Sequence, residues 1–345
     1  MILAHKLKLA SVLVTAVFGY QVAIAQTPYN NYQIPQTNFG QPDLGGLWTN
    51  VTITKVTRPR EFGDRLIYTE AEVATIEGQA DQEAEDANRR VDPNAPAEYR
   101  HETDVALRPE FAAAGGATGF YDHFWLDPGS RVMRVGGEPR TSLLTTKNGQ
   151  IPAAKKGAKN RARSTMGGYD NFESRPLGER CIIGFGRNGG PPMFPNGFYN
   201  NNYRIVQTPN HIMILVEMIH DARIVRLNSK HRTDDVRPWF GDSIGWWDGN
   251  TLVVETTHLP ETQAFYGAWK NLKVTERFTR VAENRLYYRF EVEDKDMWDE
   301  PWGGEYEFSS LDGDIYEYAC HEGNYALPGI LRGARMEKDK VSSSN

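Results

Sequence analysis

Five ionisable side chains, Glu217, His220, His258, Glu317 and His321, fall in stretches whose alternating apolar residues predict β-strands. Proton transfer needs such groups: imidazoles that titrate near neutrality, or carboxylates tuned by burial, held in place by rigid elements. Across residues 211–220, one alternating face carries Ile212, Ile214, Val216, Met218 and His220, and the other carries Met213, Leu215, Glu217 and Ile219. Both faces are apolar, so the strand is expected to be central and Glu217 to be a carboxylate among aliphatic neighbours. Such a group either finds a partner, for instance Arg277 or Arg289, or shifts upward in pKa as a general acid does. His220 closes the strand and reads as a base or as a surface histidine in a turn. Asp221 would orient it only if the backbone turned there, because adjacent strand residues face opposite ways. Arg223 is a candidate partner for a substrate carboxylate or phenolate.

The stretch YEYACHEGNY, residues 316–325, concentrates further chemistry. Period-two spacing over 314–320 places Tyr316, Tyr318 and Cys320 on one face, and Glu317 and His321 on the other. One face is expected to anchor the segment; the other offers a carboxylate and an imidazole to a cavity. His258 ends a similar strand behind Leu252, Val254 and Thr256. Arg223, Arg277, Tyr318, Trp247 and Asn202 are the candidate substrate-binding residues. The tryptophans near turns and strand ends serve either stacking or core packing, and Asn200 to Asn202 either bind hydroxyls or form a turn. A metal site from His220, Asp221, His321 and Glu322 is a third reading, but neither metal nor cofactor is expected. The chain has no G-x-S-x-G elbow, phosphate loop, dinucleotide fingerprint or H-E-x-x-H, so the chemistry expected is acid and base.

These residues need a scaffold. Strands are predicted at 203–208, 211–219, 222–227, 243–247, 251–259, 273–281, 285–293, 305–309 and 314–320, with a shorter one at 47–56. They are separated by turns such as Asp248-Gly249-Asn250 and Asp312-Gly313-Asp314. The fold class is mainly β: an antiparallel meander forming a lipocalin-like barrel or strongly curved sheet, because closure removes reactive edges. One N-terminal amphipathic helix is predicted at 69–89, opened by the capping box Thr69-Glu70-Ala71-Glu72 and stopped by Asp92-Pro93. The expected layout is an arm, strand and helix over 26–110 and a barrel domain over 111–345. Residues 151–180 form a basic surface loop carrying Lys155, Lys156, Lys159, Arg161 and Arg163, which is either a lid or a solvated excursion.

Lys6 and Lys8 precede an apolar run from Leu9 to Ile24 that ends in Ala23-Ile24-Ala25, the pattern of a secretory leader over 1–25. The expected location is periplasmic or secreted. Loss of the two leader lysines takes the formal charge from −6 to −8, which argues against nucleic acid, and no later stretch is long enough to span a membrane as a helix. The expected partner is a small molecule, bound by a monomer or homodimer. Only Cys181 and Cys320 occur; in an oxidising compartment they are expected to form a disulfide, the competing reading being a nucleophilic Cys320 beside His321.

Glu179-Arg180-Cys181, the run Asn201 to Pro209, Glu217-Met218-Ile219-His220-Asp221-Ala222-Arg223-Ile224, the run Gly249 to Thr257, Thr275-Glu276-Arg277-Phe278 and the closing YEYACHEGNY together resemble a family of exported bacterial proteins of undefined function. The likeness runs over about residues 139–335 and implies export but no activity. Trp247-Asp248-Gly249-Asn250-Thr251 and Phe278-Thr279-Arg280-Val281 are similar to stretches of lipocalin-like β-barrel domains, which implies a fold alone. Two functions are expected to compete. One is a cofactor-independent lyase or isomerase using His220, His321, His258, Glu217 and Glu317 on a small aromatic or polyhydroxylated compound, such as a plant phenolic. The other is a non-catalytic lipocalin-like binder of a small molecule or sugar.

Overall fold

The computed structural model describes residues 32–87, 126–158 and 168–343. The expected leader, the Asp92-Pro93 helix stop and the Lys159, Arg161 and Arg163 part of the basic loop lie outside them. The main body is a closed barrel of nine strands: β1 (Gly46–Thr49), β4 (Asn202–Gln207), β5 (His211–Val216), β6 (Ala222–Leu227), β7 (Asp242–Asp248), β8 (Thr251–Thr257), β9 (Lys273–Ala282), β10 (Arg285–Glu293) and β11 (Trp302–Ser310). A small ribbon of β2 (Arg134–Val135) and β3 (Glu138–Pro139) lies outside it. The mainly β fold agrees with the alternation in the sequence, and each expected strand but that at 314–320 forms, although one pair of the expected antiparallel meander is parallel.

The ring runs β1-β11-β10-β9-β8-β7-β6-β5-β4, and β1 closes it by pairing with both β11 and β4. In a ring of purely antiparallel neighbours the directions alternate, so an odd number of strands cannot close. The barrel meets this constraint with one parallel pair, β6 and β7, joined by the crossover 228–241. A parallel neighbour needs such a long connection.

Alternate residues of each strand point inward and are buried: Tyr203 and Ile205, Ile212 and Ile214, Leu252 and Val254, Phe278, Tyr288 and Phe290, Tyr306 and Phe308. The segment 187–194 enters this interior. Tyr288 Oη accepts the Met193 N–H at 2.9 Å, Tyr306 Oη donates to the Met193 carbonyl at 3.0 Å, and Tyr203 Oη donates to the Asn188 carbonyl at 3.2 Å. Phe194 packs edge-on against Phe290 at 5.2 Å. The lumen is therefore a packed core, with aromatic rings and a loop where a lipocalin-like binder would keep an open cup.

Helix α1 (Glu70–Ala87) opens on the expected capping box: Thr69 Oγ1 accepts the Glu72 N–H at 3.3 Å, and Glu72 Oε2 accepts the Thr69 N–H at 2.8 Å. The strand expected at 314–320 does not form. Both edges of β11 are already taken, by β10 and β1, so a closed barrel has no place for another strand. The chain instead leaves as coil and turns into α2 (Cys320–Gly323) and α3 (Ala326–Ser343). Sequence reasoning did not foresee α3, since Pro328, Gly329 and Gly333 lower its helical propensity. Pro328 falls in the first turn, where a missing N–H is tolerated. Among the described residues no helix is long and apolar enough to cross a membrane.

Candidate functional site

Strand β5 stops at Val216 because the next residues leave the extended region. Glu217 is right-handed helical (φ −60°, ψ −41°), and Ile219 and His220 take positive φ values of 53° and 45°. A β-branched residue there is strained by about 1–2 kcal/mol. The chain doubles back through Met218–His220 into β6, and Glu217 is turned out of the strand alternation. It is 4% exposed. Its Oε2 accepts the Asn202 Nδ2–H at 2.8 Å and its Oε1 accepts the backbone N–H of Tyr316 at 2.9 Å. Glu217 thus ties the start of β4 to the C-terminal segment, with neutral donors alone.

This carboxylate lines a cleft of about 1090 Å³ between the barrel end and the C-terminal segment. One wall comes from Tyr199, Asn200 and Asn202 before and at the start of β4. A second comes from Tyr316, Glu317, Tyr318 and Cys320, and a third from Gly178, Glu179 and Phe185; Leu327 and Ile330 of α3 cover part of it. The Cys181–Cys320 disulfide, Cα to Cα 5.7 Å, holds the second wall to the third. The Asn324 amide reinforces it by donating to the Glu179 carbonyl at 2.7 Å. Tyr199 and Tyr318 stack with ring centroids 6.2 Å apart and hydroxyls at 3.5 Å. Positive φ recurs beside the cleft at Cys181 and Asn200, and elsewhere at Asn228, His258 and Tyr266.

Among the described residues four carboxylates line the cleft, Asp127, Glu179, Glu217 and Glu317, and no lysine, arginine or histidine does. Glu179 is neutralised by Arg175, which grips it through two bonds of 2.8 Å. Asp127 is exposed along one side. The cleft wall desolvates its carboxyl and holds it above the usual range, opposed by the Gly129 N–H and reinforced by the charge of Glu217.

Of the residues singled out in the sequence, the structure brings together Glu217, Glu317, Tyr318, Asn202 and Cys320 in this cleft. His220 is exposed on the strained turn and His321 is exposed on α2; neither lines it. The face-sharing of Glu317 and His321 assumed a strand that the closed barrel excludes. His258 lies elsewhere, its Nδ1 2.8 Å from Thr257 Oγ1 and its ring 6.3 Å from that of His231. Arg223 is buried in the lumen, bidentate to Glu276 at 2.5 and 3.0 Å. Arg277 pairs with Asp248 at 3.4 Å and stands opposite Arg289 across β9 and β10, so neither arginine is the partner expected for Glu217. Trp247 packs against the core. Among the described residues no group of three or more His, Cys, Asp or Glu is placed to hold a metal ion, so His220, Asp221, His321 and Glu322 are not assembled as one.

Sequence reasoning missed Asp127, Tyr199, Glu179 and Asn324. The last two flank the cysteines, and their positions were readable once the disulfide was granted; Asp127 sits in a stretch without periodicity and carried no signal. Comparison with protein-family models, curated proteins and solved structures yields no match.

Proposed function

We propose that the protein is an exported, cofactor-independent enzyme of lyase or isomerase type, acting by acid and base in the cleft on a small hydroxylated compound. The observation that carries this reading is the pairing of two carboxyl groups in unlike surroundings on one cavity. Glu217 is buried and fixed by Asn202 and the Tyr316 N–H; Asp127 is held above the usual carboxylate range by the cleft wall and by Glu217. Carboxyls whose environments differ in this way divide into a base and an acid. Glu217 removes a proton from a carbon next to a carbonyl. Asp127 gives its own proton either to a departing β-oxygen, leaving a carbon–carbon double bond, or to the carbonyl oxygen, leaving an enol for reprotonation at the neighbouring carbon.

The tyrosines and asparagines around these groups suit an aromatic or polyhydroxylated compound. Arg223 and Arg277 take no part, being committed to Glu276 and Asp248, so among the described residues the cleft offers an anionic substrate no countercharge. A lipocalin-like binder is less well supported, because aromatic side chains and the Met193 segment occupy the barrel interior. The test is solvent exchange. Purified protein in deuterium oxide is expected to incorporate deuterium at carbon in at least one member of a panel of neutral aldoses, ketoses and phenolic ketones, followed by proton NMR. Asp127→Asn is expected to slow that incorporation by about 10²-fold or more. No incorporation anywhere in the panel, or incorporation indifferent to Asp127→Asn, counts against the reading.

A further inference from the structure

We infer that the compound taken by the cleft carries an ammonium group, bound at Glu217, Asp127 and Asn202; this deepens the reading above and rests on the same cavity. The first ground is charge. Glu217 is nine-tenths buried and faces the cavity, yet among the described residues no Lys, Arg or His pairs with it. Asp127 beside it takes a hydrogen bond from Gly129 and, among the described residues, has no cation; protonated it is the acid of the reaction, and ionised it adds a second negative charge facing the ligand. The rest of the described lining supplies none, and the rim adds the exposed carboxylate of Glu317, which draws cations toward the opening. Asp221, Glu307 and Asp294 are also buried, but none of them lines the cleft. Uncompensated carboxylates that face a cavity are complementary to a positive ligand.

The second ground is the hydrogen-bond inventory, which is independent of net charge. The Asn202 amide spends its N–H on Glu217, and its carbonyl Oδ1 is buried without a partner. Each Glu217 oxygen has accepted one donor and keeps a free lone pair. The open positions on Glu217 and the Asn202 carbonyl are therefore acceptors. A hydroxyl brings one donor and two lone pairs, whereas a primary ammonium brings three donors and no acceptor, and so fits a set made of carboxylates and an amide carbonyl. The stacked faces of Tyr199 and Tyr318 add the π surface to which cations are drawn. A ligand with its own carboxylate would meet Glu217 and Asp127 unfavourably, so the class is a hydroxylated amine.

The experiment is calorimetric titration of the full chain with D-glucosamine, below neutral pH where its amine is charged, and with D-glucose under the same conditions. Glucosamine is expected to bind at least about tenfold more tightly. The preference should shrink to near unity in Glu217→Gln and fall in Asp127→Asn, whose melting temperature is expected to stay close to that of the wild type. Equal or tighter binding of glucose overturns the inference, as does displacement of glucosamine by an equal concentration of calcium chloride, which would mark a divalent-cation site. Deuterium exchange separates this from the enzymatic reading. Glucosamine preference without exchange at carbon sustains the ammonium site and removes the enzyme; exchange into glucose without any preference for the amine overturns the ammonium site and keeps the enzyme.

Discussion

Asp221 accepts the Gly184 N–H at 2.7 Å and is 7% exposed, and burial pushes its carboxyl up to about 7. Burial does the same to Glu307, also to about 7, against the Gly136 N–H at 2.8 Å. Both acids hold their protons more tightly in the folded chain than in the unfolded one. The stability these two groups contribute is therefore fully present below the ordinary carboxylate range, falls as pH rises through it toward 7, and levels off above. Each group contributes on the order of 2–4 kcal/mol across that window. Asp221→Asn and Glu307→Gln should each flatten the profile, measured by urea unfolding at intervals from about pH 4 to 8; an unchanged slope would show that these carboxyls ionise freely in place. At this scale the sequence was legible only in part. Glu217 stood out as a charge inside an apolar alternation, and that alternation was real. His220 was misplaced because Ile219 and His220 adopt left-handed backbone, which period-two spacing cannot reveal.

Strands β6 and β9 are not neighbours in the ring, so the Arg223–Glu276 pair between them crosses the lumen. Tyr288 Oη donates a third bond to Glu276 at 2.8 Å. Removing one charge from such a buried pair leaves the other uncompensated. Glu276→Gln is expected to destabilise the barrel by about 3–5 kcal/mol, whereas replacing both partners with apolar residues of similar volume should cost less; denaturant midpoints decide it, and a double variant as unstable as the single one would contradict the pairing. Outside the barrel, His231 fastens the crossover 228–241, with Nδ1 2.9 Å from Asp242 and Nε2 3.1 Å from Glu255. Elements with strong alternation, such as β9 and β10, were readable almost to their ends. The false strand at 314–320 had proper alternation too; what excluded it was closure through β1, a contact between residues far apart in the chain. Helix α3 was hidden for a local reason, its glycines and proline.

Across the whole molecule, the disulfide joins residues 139 positions apart and fastens the C-terminal segment over the cleft. Its existence was legible from the cysteine count and the expected compartment, but its role in building a wall was not. On the chain-entropy model the bond stabilises the fold by about 4–5 kcal/mol. The double substitution Cys181→Ser with Cys320→Ser is expected to lower the melting temperature by several degrees and to weaken ligand binding as the second wall loosens. A lower melting temperature with unaltered binding would mean that the cleft holds its shape without the bond.

The most direct test of catalysis in the cleft is Glu217→Gln. The change is nearly isosteric, and the unpartnered Oδ1 of Asn202 can accept from the new amide after the Asn202 side chain flips, so melting temperature should move little. With a compound that exchanges deuterium in the wild-type protein, the exchange rate is expected to fall by about 10²–10⁴-fold. A variant that stays folded and exchanges at the wild-type rate would contradict the assignment of Glu217 as the base.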